Sequence, residues 1–209
     1  MIQVKEMPAS EKLKQVQDNN QFSEKFVAEF IEGHLGHESA VELRQAWRDG
    51  IKPISPEASV DEQYEIAYAN WIWMGRATFD FIRQKMGEDG MRILEQAEAE
   101  ALVKKNSDLA TWMLGLIRAV APQAAYKMLS QNLAYQLQWI TPFNVTELSA
   151  QRFTAEIPRC KILDFPDSED SCLIGCQRIY PRWVEAQFKA RMSYDRRDHA
   201  CTCRVTPLS

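Results

Sequence analysis

Hydrophobic positions recur at helical spacing through the first 140 residues of the chain. Phe22, Phe26 and Phe30 form one amphipathic face, and a second amphipathic helix follows it. These two helices predict an N-terminal helical arm or hairpin over residues 1–50. The next stretch, IKPISPEAS, has two prolines and no hydrophobic period, which predicts a linker over residues 51–59.

The longest periodic segment runs from Val60 to Met86 and ends at Gly87. Further amphipathic helices follow, one of them capped by Ser107 and Asp108. The last of these helices ends at Thr141-Pro142.

The hydrophobic period changes from helical to alternating after Pro142. Two short strands predict a hairpin just before Cys160, a helix begins near Cys172, and a second hairpin ends with a strand from Ala200 to Thr206. The predicted class is therefore α+β. The N-terminal two-thirds of the chain are expected to be mostly helical and to pack on a small four-stranded antiparallel sheet, with one helix inserted between two hairpins. Residues 60–209 are expected to form the ligand- or metal-binding domain.

Composition narrows the classes of protein. The chain has 209 residues, 45% of them hydrophobic, and a formal net charge of −4, which is far from the basic stripe of a nucleic-acid binder. It has no apolar run of membrane-spanning length and no apolar N-terminal leader core. We therefore expect a cytoplasmic protein without nucleic-acid or membrane partners.

Cysteine placement is the most informative chemical feature, because all five cysteines lie between Cys160 and Cys203. Cys172 and Cys176 are four residues apart and share one helix face. Cys201 and Cys203 are two apart on a strand and point to the same side of the sheet. Helix packing across the sheet is expected to bring both pairs and Cys160 toward a common point.

Thiols stay reduced in the cytoplasm, so metal binding or thiol chemistry is favoured over disulfides. Four thiolates suit zinc and, as the alternative, an iron–sulfur cluster. His199 is a candidate nitrogen ligand two residues before Cys201. Two other interpretations stay open: the thiols serve as small buried hydrophobic groups, or Cys172, at a helix N-terminus, is a catalytic or redox-active nucleophile.

An aromatic stripe on the long helix includes Tyr68 and Trp71. It is the stripe expected of a hydrophobic core, and it is also a candidate wall for a flat ligand. With the polar groups Asn70 and Arg76 on the same helix, it gives the predicted ligand-binding set.

The order of these features resembles a known type of domain. A strand pair ending in Arg159-Cys160, a helix starting with Cys172 and the terminal run DHACTCRV are similar to the 4-vinyl reductase type of small-molecule-binding domain. They are similar also to L-2-amino-thiazoline-4-carboxylic acid hydrolase-like proteins and related uncharacterised cytosolic proteins. The resemblance covers residues 60–205. It implies a ligand pocket between helices and sheet, and a metal held by Cys160, Cys172 and Cys203.

Two hypotheses of function follow. The first is a small-molecule-binding protein with a cysteine-ligated metal, with hydrolase or lyase chemistry if it is an enzyme. The second is a structural or interaction protein, a homo-oligomer with buried or redox-sensing thiols and no metal. In either case the N-terminal hairpin is a candidate dimer contact.

Overall fold

The structure is a computed structural model that describes residues 2–105, 117 and 120–208. The helix predicted to begin at Ser107 and Asp108 lies outside these residues. The described helices and strands, in chain order, are α1 (Ala9–Leu35), α2 (His37–Gly50), α3 (Val60–Lys105), α4 (Pro122–Gln136), β1 (Asn144–Leu148), β2 (Phe153–Ile157), a π-helix (Ser171–Ile179), α5 (Tyr180–Phe188), β3 (Ala190–Arg197) and β4 (Ala200–Pro207). Short 3₁₀ turns cover Leu137–Trp139 and Lys161–Asp164.

The four strands form one antiparallel sheet in the order β1-β2-β4-β3. The π-helix and α5 connect the two hairpins, so β2 pairs with β4 across that insertion. The predicted α+β class, with helices in the N-terminal two-thirds and one helical insertion between two hairpins, is confirmed.

The helices α1, α2 and α3 share one hydrophobic core. Ile31 of α1, Leu43 of α2 and both Ile82 and Leu94 of α3 are fully buried in it. Each such side chain contributes about 1.5–3 kcal/mol by leaving water. The hairpin over residues 1–50 is therefore packed against α3 of its own chain, and the division into an arm and a larger domain stays a prediction.

Two glycines shape this helical layer. Gly87 has φ +67°, a left-handed conformation in which side chains with a Cβ are strained, and the helix direction of α3 changes there. Gly50, the last residue of α2, lies under the indole of Trp73, where an added Cβ would be 2.0 Å from the ring. Both residues stand where the sequence predicts helix ends.

The linker is fixed by Asn70 of α3. The Asn70 amide oxygen accepts a hydrogen bond from the Lys52 N–H at 2.9 Å, and its nitrogen donates to the Lys52 carbonyl at 2.9 Å. Since Asn70 is buried, this pairing satisfies an amide that would otherwise be costly to bury.

The helix predicted near Cys172 has an unexpected form. Residues Ser171–Ile179 make a π-helix, and the following Tyr180 N–H bonds to the Gly175 carbonyl five residues back. The wider turn changes which residues share a face, and turns of this kind are rare and often lie at functional sites. None of the helices in the described part of the chain is both long and apolar enough to cross a membrane.

Candidate functional site: a thiol-lined cavity

All five cysteines line one cavity between the sheet and the π-helix. Its volume is about 40 Å³, which is room for a few water-sized groups. The remaining wall residues are mostly apolar and come from the segment before β1, from strands β2 and β3, from the 3₁₀ turn at residues 161–164 and from the π-helix: Leu137, Ile140, Thr141, Phe143, Ala155, Ile157, Ile162, Leu163, Gln177, Tyr194 and Arg196.

The sheet places two thiols through its register. Cys203 of β4 lies between Ala155 of β2 and Tyr194 of β3. Two residues earlier, Cys201 lies between Ile157 and Arg196 in the neighbouring cross-strand row. Alternation along β4 puts both sulfurs on the cavity face, as the two-residue spacing predicts.

The π-helix contributes Cys172 and Cys176 from the opposite wall. Ion pairs hold this element at both ends. Arg83 of α3 pairs with Asp170 just before it, and Arg178 in its last turn donates to buried Glu95 at 2.7 Å. These contacts tie the cavity wall to α3.

Cys160 completes the set from the end of β2. Its N–H donates to the His199 carbonyl at 2.7 Å, which draws it beside the start of β4. The His199 side chain itself is largely exposed and lies 3.9 Å from Asp164, and it is not part of the cavity wall.

Burial is the main influence on the thiols. It raises the pKa of Cys201 to about 11 and that of Cys203 to about 12, and it raises the pKa of Cys160 and Cys176 as well. Neighbouring cysteines reinforce the shift at several of these sites. These four thiols are therefore neutral at pH 7 when no metal is bound.

Two polar side chains of the cavity wall contact Cys172. The Gln177 side-chain amide donates to its sulfur at 3.8 Å, and the Arg196 guanidinium also interacts with it. Arg196 is the one cation among the described residues of the wall. Cys172 therefore has two polar side chains beside its sulfur, and its role as a nucleophile stays a prediction.

The sulfurs face a common space without forming a finished metal site. All five cysteines are free, and no group of three or more His, Cys, Asp or Glu side chains within the described residues is arranged to hold a metal ion. A change between staggered rotamers moves a cysteine sulfur by about 3 Å. Rotamer changes alone therefore allow these thiols to move toward the cavity centre.

None of the predicted ligand-binding residues lines the thiol cavity, although Tyr68 packs in the same hydrophobic cluster as Cys160 and Cys172. Tyr68 is fully buried, and its hydroxyl donates to the Ile140 carbonyl at 2.6 Å. Arg76 is occupied with the Pro166 carbonyl and Asp167. Asn70 fixes the linker, and Trp71 alone of the four lines a cavity, which is the second one, on the far side of the π-helix.

The sequence interpretation missed Glu98, which lines this second cavity. A signal was present, because Leu94, Glu98 and Leu102 follow one another at four-residue steps on one helix face. An acidic residue inside an apolar stripe is a candidate functional group.

No family model, curated protein or solved structure matches this chain.

Proposed function

We propose that this is a cytoplasmic small-molecule-binding protein that holds a thiophilic metal ion in its cysteine-lined cavity. Zinc is the first candidate, and an iron–sulfur cluster is the alternative. The observation that carries the proposal is the convergence of all five cysteines on one cavity of about 40 Å³. Cysteines used only as small hydrophobic groups have no reason to share one space.

The donor set suits zinc. Thiolate sulfur is a preferred zinc ligand, and four such ligands give the usual tetrahedral structural site. Four thiolates around Zn²⁺ leave two net negative charges, which Arg196 in the wall partly offsets. The apolar remainder of the wall keeps competing water away from the metal–sulfur bonds.

The number of thiolates that coordinate the metal decides whether the metal has an open position for chemistry. If three thiolates bind, with Cys160, Cys172 and Cys203 the set implied by the resemblance, the fourth position is open to water or a ligand. Hydrolase or lyase chemistry belongs to that case, since a metal activates water or polarises a carbonyl. Four thiolates close the site and make the metal structural.

Metal analysis of protein purified anaerobically without chelator tests the proposal. We expect one zinc per chain in the wild type and loss of zinc in the Cys203→Ser variant. Thr202→Ala is the matched control, because Thr202 is on the same strand with its side chain on the opposite face. Metal-free protein that also fails to take up added zinc or iron would overturn the proposal.

A second candidate is a structural or interaction protein whose thiols are buried or redox-sensing and hold no metal. The neutral state of the buried thiols favours a structural role for them, and the lack of a ready metal group among the described residues fits a metal-free protein. In this case, metal-free wild type keeps full stability, and mild oxidation forms a disulfide between two wall cysteines. Mass spectrometry after oxidation separates this outcome from a zinc-protected site.

Either function is compatible with a homo-oligomer through the N-terminal hairpin. Val41 is the exposed aliphatic residue of α2, with 44% of its surface accessible. If this helix is a dimer contact, Val41→Glu converts the dimer to monomer in sedimentation velocity. A wild-type monomer at high concentration would remove the oligomer proposal.

A further inference from the structure

A second cavity lies between the helices, on the other side of the π-helix from the thiols. Its volume is about 80 Å³. Residues from α1, α2, both parts of α3 and the π-helix form its wall, and α5 begins at its edge. The π-helix turns Cys172 and Cys176 toward the thiol cavity and Ser171 and Gly175 toward this one.

The wall of the second cavity is unusually aromatic. Five rings from four elements line it: Phe22, Trp47, Trp71, Phe79 and Tyr180. The negative faces of such rings attract cations, and an aromatic enclosure is the known way in which proteins bind quaternary ammonium groups. Lys105 already uses one of these rings, with its Nζ 4.4 Å from the Phe22 centroid.

One carboxylate faces this aromatic enclosure. Glu98 is the single acidic side chain among the described residues of the wall, and no hydrogen bond or ion pair to another described residue satisfies it. Glu95, three residues earlier on the same helix, is paired with Arg178 and Arg182. Glu95 is thus fully buried with two cationic partners, whereas Glu98, which is partly buried, has no cationic partner among the described residues.

A further polar atom in the wall has no partner. The hydroxyl oxygen of Ser171 is buried and makes no hydrogen bond within the described residues. A buried polar atom without a partner is costly, which is why such atoms often mark a place where a ligand or water binds. Together, Glu98 and Ser171 offer an ionic acceptor and a neutral acceptor to one occupant.

We propose that this cavity binds a small organic ammonium ion, with Glu98 as its counter-ion and the aromatic rings as its enclosure. Size limits the buried group. A cavity of about 150 Å³ takes benzene, so 80 Å³ suits an alkylammonium head group. A neutral ligand would leave the Glu98 charge uncompensated, and an anion would be repelled. The site does not depend on a metal in the thiol cavity.

Ionisation of Glu98 gives the site a pH dependence. Burial raises the pKa of Glu98 to about 7, so the carboxylate that attracts the cation forms only near neutral pH. Among the described wall residues, the other titratable group is Tyr180, whose pKa is raised by burial, by Cys176 and by Glu98, so it stays neutral. Burial lowers the pKa of Lys105, while Asp18 and Lys14 act on it in opposite directions. Ammonium affinity is therefore expected to rise through about pH 7 and level off above it.

The test is a titration of chelator-treated, reduced protein with ethylammonium chloride, followed by the indole N–H signals of tryptophan. A ligand with three heavy atoms has at best a dissociation constant of about 1 mM. We expect saturable shifts at pH 8 that sodium chloride and ethanol do not produce. Glu98→Gln should weaken binding by at least about tenfold, as expected for loss of a charged hydrogen-bond partner.

Glu100→Gln is the matched control, because Glu100 is exposed on the same helix, and it should bind as the wild type does. If Glu98→Gln proves unstable, the wild-type pH profile decides. Equal binding at pH 5.5 and pH 8, equal binding of ethanol, or no response to about 100 mM ethylammonium would each overturn the proposal. None of these results bears on zinc binding by the cysteines.

Discussion

Glu98, which is partly buried and has no ion pair within the described residues, predicts a measurable loss of stability as the pH rises. The folded protein raises the pKa of this carboxyl from 4.5 to about 7 because the group is buried. The folded state then holds the proton more tightly than the unfolded state does. The stabilisation is complete below about pH 4.5 and is lost as pH rises through about 7.

The size of the effect follows from the two pKa values. A gap from 4.5 to about 7 corresponds to about 3 kcal/mol, at about 1.4 kcal/mol per pKa unit. Glutamine has nearly the same shape and no charge. We therefore expect Glu98→Gln to match the wild type near pH 4 and to exceed its free energy of unfolding near pH 8 by up to about 3 kcal/mol.

Urea denaturation followed by circular dichroism measures this difference. Other titrating groups are common to both proteins, so their contributions cancel when the two free energies are subtracted at each pH. A difference between variant and wild type that is the same at pH 4 and pH 8 would refute the assignment of Glu98 as a partly buried, unpaired carboxyl.

Two further predictions concern the supports of the site. Asn70→Ala removes both hydrogen bonds to Lys52 and should cost about 1–3 kcal/mol, with faster proteolysis within residues 51–59; unchanged cleavage would contradict the role given to Asn70. Glu95→Gln, with Glu100→Gln as control, should cost about 3 kcal/mol because Glu95 anchors Arg178 and Arg182, and it should speed thiol labelling in the cavity wall. Labelling at the wild-type rate would show that the ion pairs of Glu95 do not support the cavity wall.

Several features of the sheet and of the thiol cavity could be predicted from the sequence. The two-residue spacing of Cys201 and Cys203 places both thiols on one face of any strand. The change from helical to alternating period after Pro142 marks the sheet. The meeting of Cys160, Cys172 and Cys176 with that pair also followed, because only one helix is inserted between the two hairpins.

Other features depend on packing between distant elements. The four-residue step from Cys172 to Cys176 is the same in an α-helix and a π-helix, so the local pattern does not reveal the wider turn. Asn70 looks like a ligand-binding group in the sequence, and its pairing with Lys52 depends on how the linker folds back on α3. Trp71 also faces the second cavity because α1 and the π-helix approach it there.

Zinc titration with proton counting tests most directly the proposal that the five converging cysteines hold a metal ion. Because burial keeps four of the thiols protonated, binding as thiolates must release protons. We predict one zinc per chain with about three to four protons released at pH 7. Zinc binding without proton release, or no binding by the fully reduced protein, would contradict the account.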